Sequence, residues 1–165
     1  MRTDIANIDI NVVERGRGDR SDLFPILEES FGGIYLWHAR WILRSRAVVL
    51  ASESRETPSA LAIMELLAPT VGYVYYLAVS RLERHRGLGG LLLDRCLSRL
   101  VSAGARTVLA SVTRGNLPSE RLVVSRGFSP CIFRDLTRQF GAAKAFKLWM
   151  GMTVAPGLVA QTRLT

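Results

Sequence analysis

The stretch Leu77-Ala78-Val79-Ser80-Arg81-Leu82-Glu83-Arg84-His85-Arg86-Gly87-Leu88-Gly89-Gly90-Leu91 decides how this chain is read. A β-type run, Val71 to Val79, enters an Arg-rich loop, and the loop's glycines open the strongest helical pattern in the sequence. From Gly87 to Val101, Leu88, Leu91, Leu92, Cys96, Leu97, Leu100 and Val101 form one broad apolar face, and Gly104 supplies the stop. Glycine lets backbone N–H groups approach an anion with no Cβ in the way, and a helix N-terminus adds about half a positive charge. Strand, loop and helix together make a cradle for a pyrophosphate. Two other phosphate loops are excluded. The third glycine of a G-x-G-x-x-G dinucleotide fingerprint would fall at Leu92, and no G-K-S/T of a Walker loop is present.

Working outward, Ala60 to Ala68 and Val71 to Val79 read as two strands joined at Pro69-Thr70-Val71-Gly72. Their combined apolar length approaches the ~20 residues of a membrane helix, but Glu65, Pro69 and Gly72 interrupt it. Upstream, Ile8 to Val13 reads as an opening strand and Arg15 to Arg20 as a loop, whose Arg-Gly-Asp is taken as chance. Asp22 to Ser30 reads as a helix capped by Asp19 or Ser21 and ended by Gly32-Gly33. Ile34 to Arg44 repeats the helical spacing. Its Trp37, His38 and Trp41 make either a binding box or an apolar core-facing stripe, the commoner use of aromatics. Ala47 to Ser52 is a strand, and Ser54 to Ser59 a turn-forming connection. Downstream, Thr107 to Val112 is a buried-type strand and Pro118 to Ser125 a helix ended by Gly127. Phe128 to Val154 returns as two strands around a loop, with a helix over Gln139 to Met150 as the alternative. This order predicts a mixed α/β sheet with helices on both faces.

The chain has 165 residues and 18.3 kDa, which favours one compact domain over 1–165. With 48% hydrophobic and 22% charged residues it is neither disordered nor low in complexity. Cys96 and Cys131 are too few for a disulfide scaffold and lack C-x-x-C spacing, so both read as core residues of a cytoplasmic protein. Arg2, Asp4, Asp9, Glu14, Arg15 and Arg17 leave no apolar core for a secretory signal. The net charge of +8 is unevenly spread: residues 1 to 80 carry 8 basic and 10 acidic side chains, residues 81 to 165 carry 14 and 4. The second half therefore suits an anion, either nucleic acid or a phosphate-bearing small molecule. Of the 22 basic residues 20 are Arg, whose guanidinium fits phosphate, although a compositional bias scattering Arg over the surface accounts for it equally.

Arg84-His85-Arg86-Gly87-Leu88-Gly89 resembles the R/Q-x-x-G-x-G/A motif of the GNAT superfamily of acetyl-CoA-dependent N-acetyltransferases. Leu77-Ala78-Val79 lies at the family's spacing before the motif. Downstream, Asn116-Leu117-Pro118-Ser119-Glu120-Arg121-Leu122 with Gly127-Phe128 is similar to its N-x-x-A/S-x-x-L followed by G-F. The resemblance covers residues 73 to 128 and implies a mostly antiparallel central sheet. It implies that main-chain N–H groups of Arg84, His85, Arg86, Gly87, Leu88, Gly89 and Gly90 bind the CoA pyrophosphate. Leu77 and Val79 would pair with pantetheine through main-chain groups, Asn116 would contact the same arm, and Ser119 would start the next helix beside it. Asn116 is also a natural N-cap, and the two roles coexist. The Arg84 and Arg86 side chains are either phosphate ligands or solvated charges, since main-chain donors suffice. Acetyl-CoA is then the co-substrate, with no metal.

The resemblance implies direct transfer in a ternary complex: a neutral amine attacks the thioester, a main-chain N–H near Val79 or Leu77 meets the oxyanion, and a thiolate leaves. Two departures bear on this. The family's frequent acid, a Tyr after the motif leucine, is Val123 here, and the acidic base many members carry on the strand before the loop is Tyr73, a poor base at neutral pH. Glu65 is the remaining carboxylate in the central apolar region. It acts as base through water or is a solvated or ion-paired strand residue, and a one-residue slip would move it to the other face. Tyr73 and Tyr75 alternate onto one face with Leu77 and Val79, lining a substrate slot or packing in the core.

Two functions follow. One is an N-acetyltransferase acting on an amine of a small molecule or protein. The other is a non-catalytic GNAT-like acyl-CoA sensor or nucleic-acid-docking module. Neither needs a membrane, and a monomer and a homodimer are both compatible. The acceptor amine, the acyl-chain preference and the proton-transfer groups are left open by the sequence.

Overall fold

The computed structural model describes residues 11–16, 18, 20–45, 47–54, 57–113, 115–152 and 157–163. In chain order these form β1 (Asn11–Arg15), α1 (Phe24–Ser30), α2 (Gly33–Arg44), β2 (Val48–Ser54), β3 (Thr57–Ala68) and β4 (Val71–Val79). Then come α3 (Leu88–Ser102), β5 (Thr107–Thr113), α4 (Leu117–Val124), β6 (Ser129–Cys131), α5 (Phe133–Phe140), α6 (Ala142–Gly151) and β7 (Gly157–Arg163). The strands make one sheet in the order β1-β2-β3-β4-β5-β7-β6. β4 and β5 run parallel and every other neighbouring pair antiparallel, the mixed, mostly antiparallel sheet that the resemblance implied.

Helices cover both faces. Leu27 of α1, Leu43 of α2, Leu136 of α5 and Leu148 of α6 are buried on one face; Leu92 and Leu100 of α3 and Val123 of α4 are buried on the other. Leu88, Leu92, Cys96 and Leu100 of the stripe read in the sequence are on the buried face of α3, together with Leu93, whereas Val101 is exposed; Gly104, at φ 100°, receives the chain after the helix ends. Cys96 and Cys131 are both buried free thiols, as their spacing implied. Among the described residues no helix is long and apolar enough to cross a membrane.

β4 carries a bulge that no periodic pattern shows. Ile63 of β3 stands opposite Tyr76, but Met64 stands opposite Val74, so Tyr75 is an extra residue on β4. Strict alternation placed Tyr73 and Tyr75 on one face with Leu77 and Val79. The extra residue reverses the phase: Tyr73, Tyr75, Tyr76 and Ala78 join the α1/α2 core, whereas Val74, Leu77 and Val79 pack with α3.

Four further expectations are corrected. Phe128 to Val154 does not return as two strands around a loop, because only Ser129–Cys131 is extended before α5 and α6. Asp135 accepts the Ile132 N–H at 3.0 Å and fixes the start of α5, while Ala145 and Leu148 give α6 a buried face. The helical alternative over Gln139 to Met150 therefore fits, shifted to Ala142–Gly151. Thr57 to Ser59 belong to β3 and not to a turn, and the Ser59 hydroxyl donates to the Ser52 carbonyl at 3.1 Å across the pair. Trp37 and Trp41 are 66% and 57% exposed, because α2 turns Ala39, Ile42 and Leu43 inward instead. Gly33 does not end the first helix; α1 stops at Ser30 and Gly33, at φ 54°, opens α2. Ile8 to Ile10, Asp19, Arg55 and Glu56 lie outside the described residues, as does the Arg17 of Arg-Gly-Asp.

Arg20 shows how the loop before α1 is held. It is 7% exposed, and its guanidinium donates to the Leu43 carbonyl at 2.7 Å, the Arg15 carbonyl at 2.9 Å and the Gly16 carbonyl at 2.7 Å. It thus places a cation at the C-terminal end of α2, where carbonyls lack intrahelical donors. Arg20→Met should destabilise the protein by about 2 kcal/mol in urea unfolding, since those carbonyls lose a charged donor.

Candidate active site

Parallel pairing between β4 and β5 runs from Val71 opposite Thr107 to Val74 opposite Ala110 and stops there. β4 continues to Val79 and β5 to Thr113, so their ends separate. The bulge at Tyr75 falls at the point of separation, beyond which β4 keeps its pairing with β3 alone. The Ser80 N–H donates to the Ser59 carbonyl at 2.8 Å. Hydrogen-bonded and non-bonded pairs alternate along an antiparallel ladder. Ala78 and Tyr76 therefore face β3 with their main-chain groups, and Leu77 and Val79 turn theirs to the gap. The Val79 carbonyl receives Arg84 Nε at 3.1 Å.

A cavity of about 290 Å³ fills the gap, lined by Val74 to Leu77 on one side and Ala110 to Thr113 on the other. A second opening, of about 400 Å³, continues it past Val79 to Arg84, His85, Gly87, Leu88 and Gly89. The two share Ser30, Phe31, Leu77, Asn116, Ser119 and Leu122, and so form one cleft.

The glycine loop joins β4 to α3. Gly87 has φ 82°, a conformation that suits glycine, and His85 shares the left-handed region at φ 63°. The first intrahelical bond of α3 runs from the Leu91 N–H to the Gly87 carbonyl at 3.0 Å. The N–H groups of Leu88, Gly89 and Gly90 precede it and have no intrahelical acceptor. A Cβ on Gly89 would sit 3.5 Å from both Leu77 and Leu122, inside the cleft wall. Gly90 faces elsewhere: a Cβ there would meet the Arg126 guanidinium at 2.6 Å, which is bound through both its Nε and Nη2 to Asp94. Arg86 pairs with Glu83, and Arg84 is held by Val79, so both arginines have intramolecular partners. Asn116 caps α4 by accepting the Ser119 N–H at 3.4 Å, and both residues line the cleft.

Of the eleven residues assigned to cofactor binding, Leu77, Val79, Arg84, His85, Gly87, Leu88, Gly89, Asn116 and Ser119 line the cleft; Arg86 and Gly90 do not. Neither candidate for proton transfer lines it. Tyr73 is fully buried, and its hydroxyl donates to Ser111 Oγ at 2.8 Å, tying β4 to β5 at the point where they part. Glu65 lies opposite Tyr73 and accepts the Tyr75 hydroxyl at 3.3 Å, so Tyr75 stands between this carboxylate and the cleft. Burial, reinforced by the Glu65 charge, pushes the Tyr75 phenol well above its usual range and keeps it protonated. Val123 is buried and lines the cleft beside Leu122.

Sequence reasoning missed the corner of Ser30, Phe31, Gly32 and Tyr35 between α1 and α2, which also lines the cleft. Gly32-Gly33 was its only local signal. It also missed that Tyr76 lines the cleft and bonds His38 at 2.7 Å. Among the described residues no three His, Cys, Asp or Glu side chains converge as metal ligands.

One mixed sheet with two parallel strands that part at one end, and a glycine-opened helix at the mouth of the gap, define an α/β architecture. The chain belongs to the acetyltransferase (GNAT) family, whose model matches residues 20–128. No curated protein sequence matches it significantly. A GNAT family acetyltransferase from Elizabethkingia anophelis with acetyl-CoA bound is similar in structure, with a TM-score of 0.69 at 12% identity over 94% of this chain and 98% of that one. N-acetylglutamate synthase from Neisseria gonorrhoeae, complexed with coenzyme A and N-acetyl-glutamate, gives 0.68 at 13% identity over 94% of this chain. This chain spans only 35% of that enzyme's length. A ribosomal-protein-alanine N-acetyltransferase from Escherichia coli gives 0.66 at 18% identity over 74% of this chain and 79% of that one. At these identities the likeness is one of fold.

Proposed function

We propose that the protein is a cytoplasmic N-acetyltransferase, one domain over 1–165, that moves an acetyl group from acetyl-CoA to an amine of a small molecule or protein in a ternary complex. The observation that carries this reading is the gap between β4 and β5, with the main-chain groups of Leu77 and Val79 turned into it and the start of α3 at its mouth. The residues present fit the co-substrate. A pantetheine arm, a chain of amides, finds the strand-like partners that β5 withholds from Leu77 and Val79. The N–H groups of Leu88 and Gly89 meet the pyrophosphate, with Asn116 and Ser119 flanking the arm. The family architecture and the CoA-bound structures of the same fold support this.

Acetyl-CoA supplies the activated acyl carbon. The Leu77 N–H, already aligned toward the gap, stabilises charge as it develops on the carbonyl oxygen. Tyr75 keeps its proton and donates it in a hydrogen bond to Glu65, and Tyr73 braces the two strands through Ser111, so the departing thiolate takes its proton from solvent. The Glu65 carboxylate reaches the cleft by way of Tyr75, which limits it to a role through that phenol.

Coenzyme A at ~100 times its dissociation constant should stabilise the protein by ~2.7 kcal/mol and raise its melting temperature accordingly. Arg84→Ala should leave most of the calorimetric affinity in place, because the proposed donors are main-chain. Radiolabelled acetyl-CoA with pooled amines and peptides tests the transfer itself. The sensor or docking alternative rests on Val123, which puts an aliphatic side chain where a hydroxyl is common. Salt-dependent retention on DNA without retention on CoA would establish that alternative and overturn the proposal.

A further inference from the structure

His38 lies on α2, outside the family's motif region, and its Nδ1 bonds the Tyr76 hydroxyl at 2.7 Å. Tyr76 lines the cleft on the side of Phe31, against which its ring packs edge-on at 4.9 Å. The imidazole is half-buried among Tyr75, Tyr76 and Trp41, with ring centroids at 6.2, 5.8 and 5.9 Å. Burial pulls it below its usual value of 6.5, so it is neutral at physiological pH and Nδ1 is able to accept the phenolic proton. The titratable groups facing it are Tyr75 and Tyr76 of β4, with Glu65 of β3 behind the Tyr75 hydroxyl. A half-buried, neutral base joined by one hydroxyl to the wall of a transferase cleft has the geometry of a proton exit.

We infer that His38 is the positioning residue and terminal proton acceptor for the acceptor amine, acting through the Tyr76 hydroxyl. This rests on the transferase reading above. The ammonium gives a proton to the Tyr76 oxygen as the Tyr76 hydroxyl proton passes to His38 Nδ1, which leaves a neutral amine and an imidazolium. The amine nitrogen then forms its bond to the thioester carbonyl carbon and the carbon–sulfur bond breaks. The thiolate takes one proton, the nitrogen loses its remaining excess proton, and His38 returns its own to solvent. Amine and acetyl-CoA thus become amide and free thiol, with no oxidant or metal required.

The pH dependence separates this role from a structural one. When an enzyme base takes the proton, the reactive pair is neutral base with ammonium, and kcat/KM is flat between the pKa of the base and that of the amine. Without it only free amine reacts, and kcat/KM climbs tenfold per pH unit up to the amine's pKa. Spermidine, benzylamine and a lysine peptide are offered with acetyl-CoA, and the profile is recorded for each amine that is turned over. The unaltered protein should be flat from about pH 6.5 to 9. His38→Gln and Tyr76→Phe should each be about 100-fold slower at pH 7, climb with unit slope and approach the unaltered protein at high pH. His38→Gln should bind coenzyme A as before, and Tyr76→Phe, which keeps the ring against Phe31, decides the matter where His38→Gln does not fold. Profiles of the same shape in all three proteins overturn the inference and leave the transferase reading intact. Coenzyme A binding with no transfer by the unaltered protein overturns both.

Discussion

Gly89→Val should weaken coenzyme A binding by at least about 100-fold while leaving the protein folded. Gly89 is in the first turn of α3, in helical conformation, so valine is tolerated there by the backbone. Its Cβ, however, would lie 3.5 Å from Leu77 and from Leu122, with the γ-methyls reaching further into the space between β4 and α4. The displaced ligand would lose at least two N–H contacts to charged oxygens, each worth roughly 1.5–3 kcal/mol, and about 1.4 kcal/mol is tenfold in affinity. Gly89→Ala, at ordinary contact distance, should lose far less. Gly87→Val reaches the same loss by another route: nothing crowds that position, but φ 82° strains a β-branched residue and moves the loop. Calorimetric titration of the three variants beside Arg84→Ala gives the ranking. A larger loss in Arg84→Ala than in Gly89→Val would show that the side chain, and not the main chain, holds the anion.

The second large effect is a gain. Val123→Tyr should raise turnover by about 100-fold with coenzyme A affinity near its original value, because it places a hydroxyl beside the cleft where the unaltered protein has an aliphatic wall. Val123 is buried and lines the wall of that cleft, so its side chain borders the space a bound thioester would occupy. Val123→Phe controls for bulk, since it fills the same volume without a proton donor. Equal rates in the Tyr and Phe variants would leave thiolate protonation to solvent, with no part played by the added hydroxyl.

The departure of the site from local expectation has a definite location. The glycine loop was legible because its requirements are local: positive φ at Gly87, an uncapped helix start at Leu88, and an Asn116 side chain three residues from the N–H it caps. The apolar face of α3 was legible because its period is set by the helix itself. The tyrosines of β4 were not, because a single inserted residue at Tyr75 changes which face each later side chain meets, and an unbroken run of apolar and aromatic residues carries no mark of it. The last third was misread for a related reason. Short apolar runs around Phe133 and Phe146 fit strand or helix equally, and burial of Leu136, Ala145 and Leu148 against the sheet selects helix.

The sequence by itself determined the glycine turn that opens α3, the order of the central elements and the family, since each depends on contacts within a few residues along the chain. Only the tertiary structure decided where the reacting groups stand. The cleft exists because β4 and β5 part after Val74 and Ala110, a matter of how two strands separated by a 15-residue helix meet. The Tyr76–His38 and Tyr75–Glu65 pairs likewise join residues 38 and 10 positions apart. Such pairs are fixed by sheet register and helix packing, which no local propensity encodes, and so the chemistry of the cleft is a property of the folded chain.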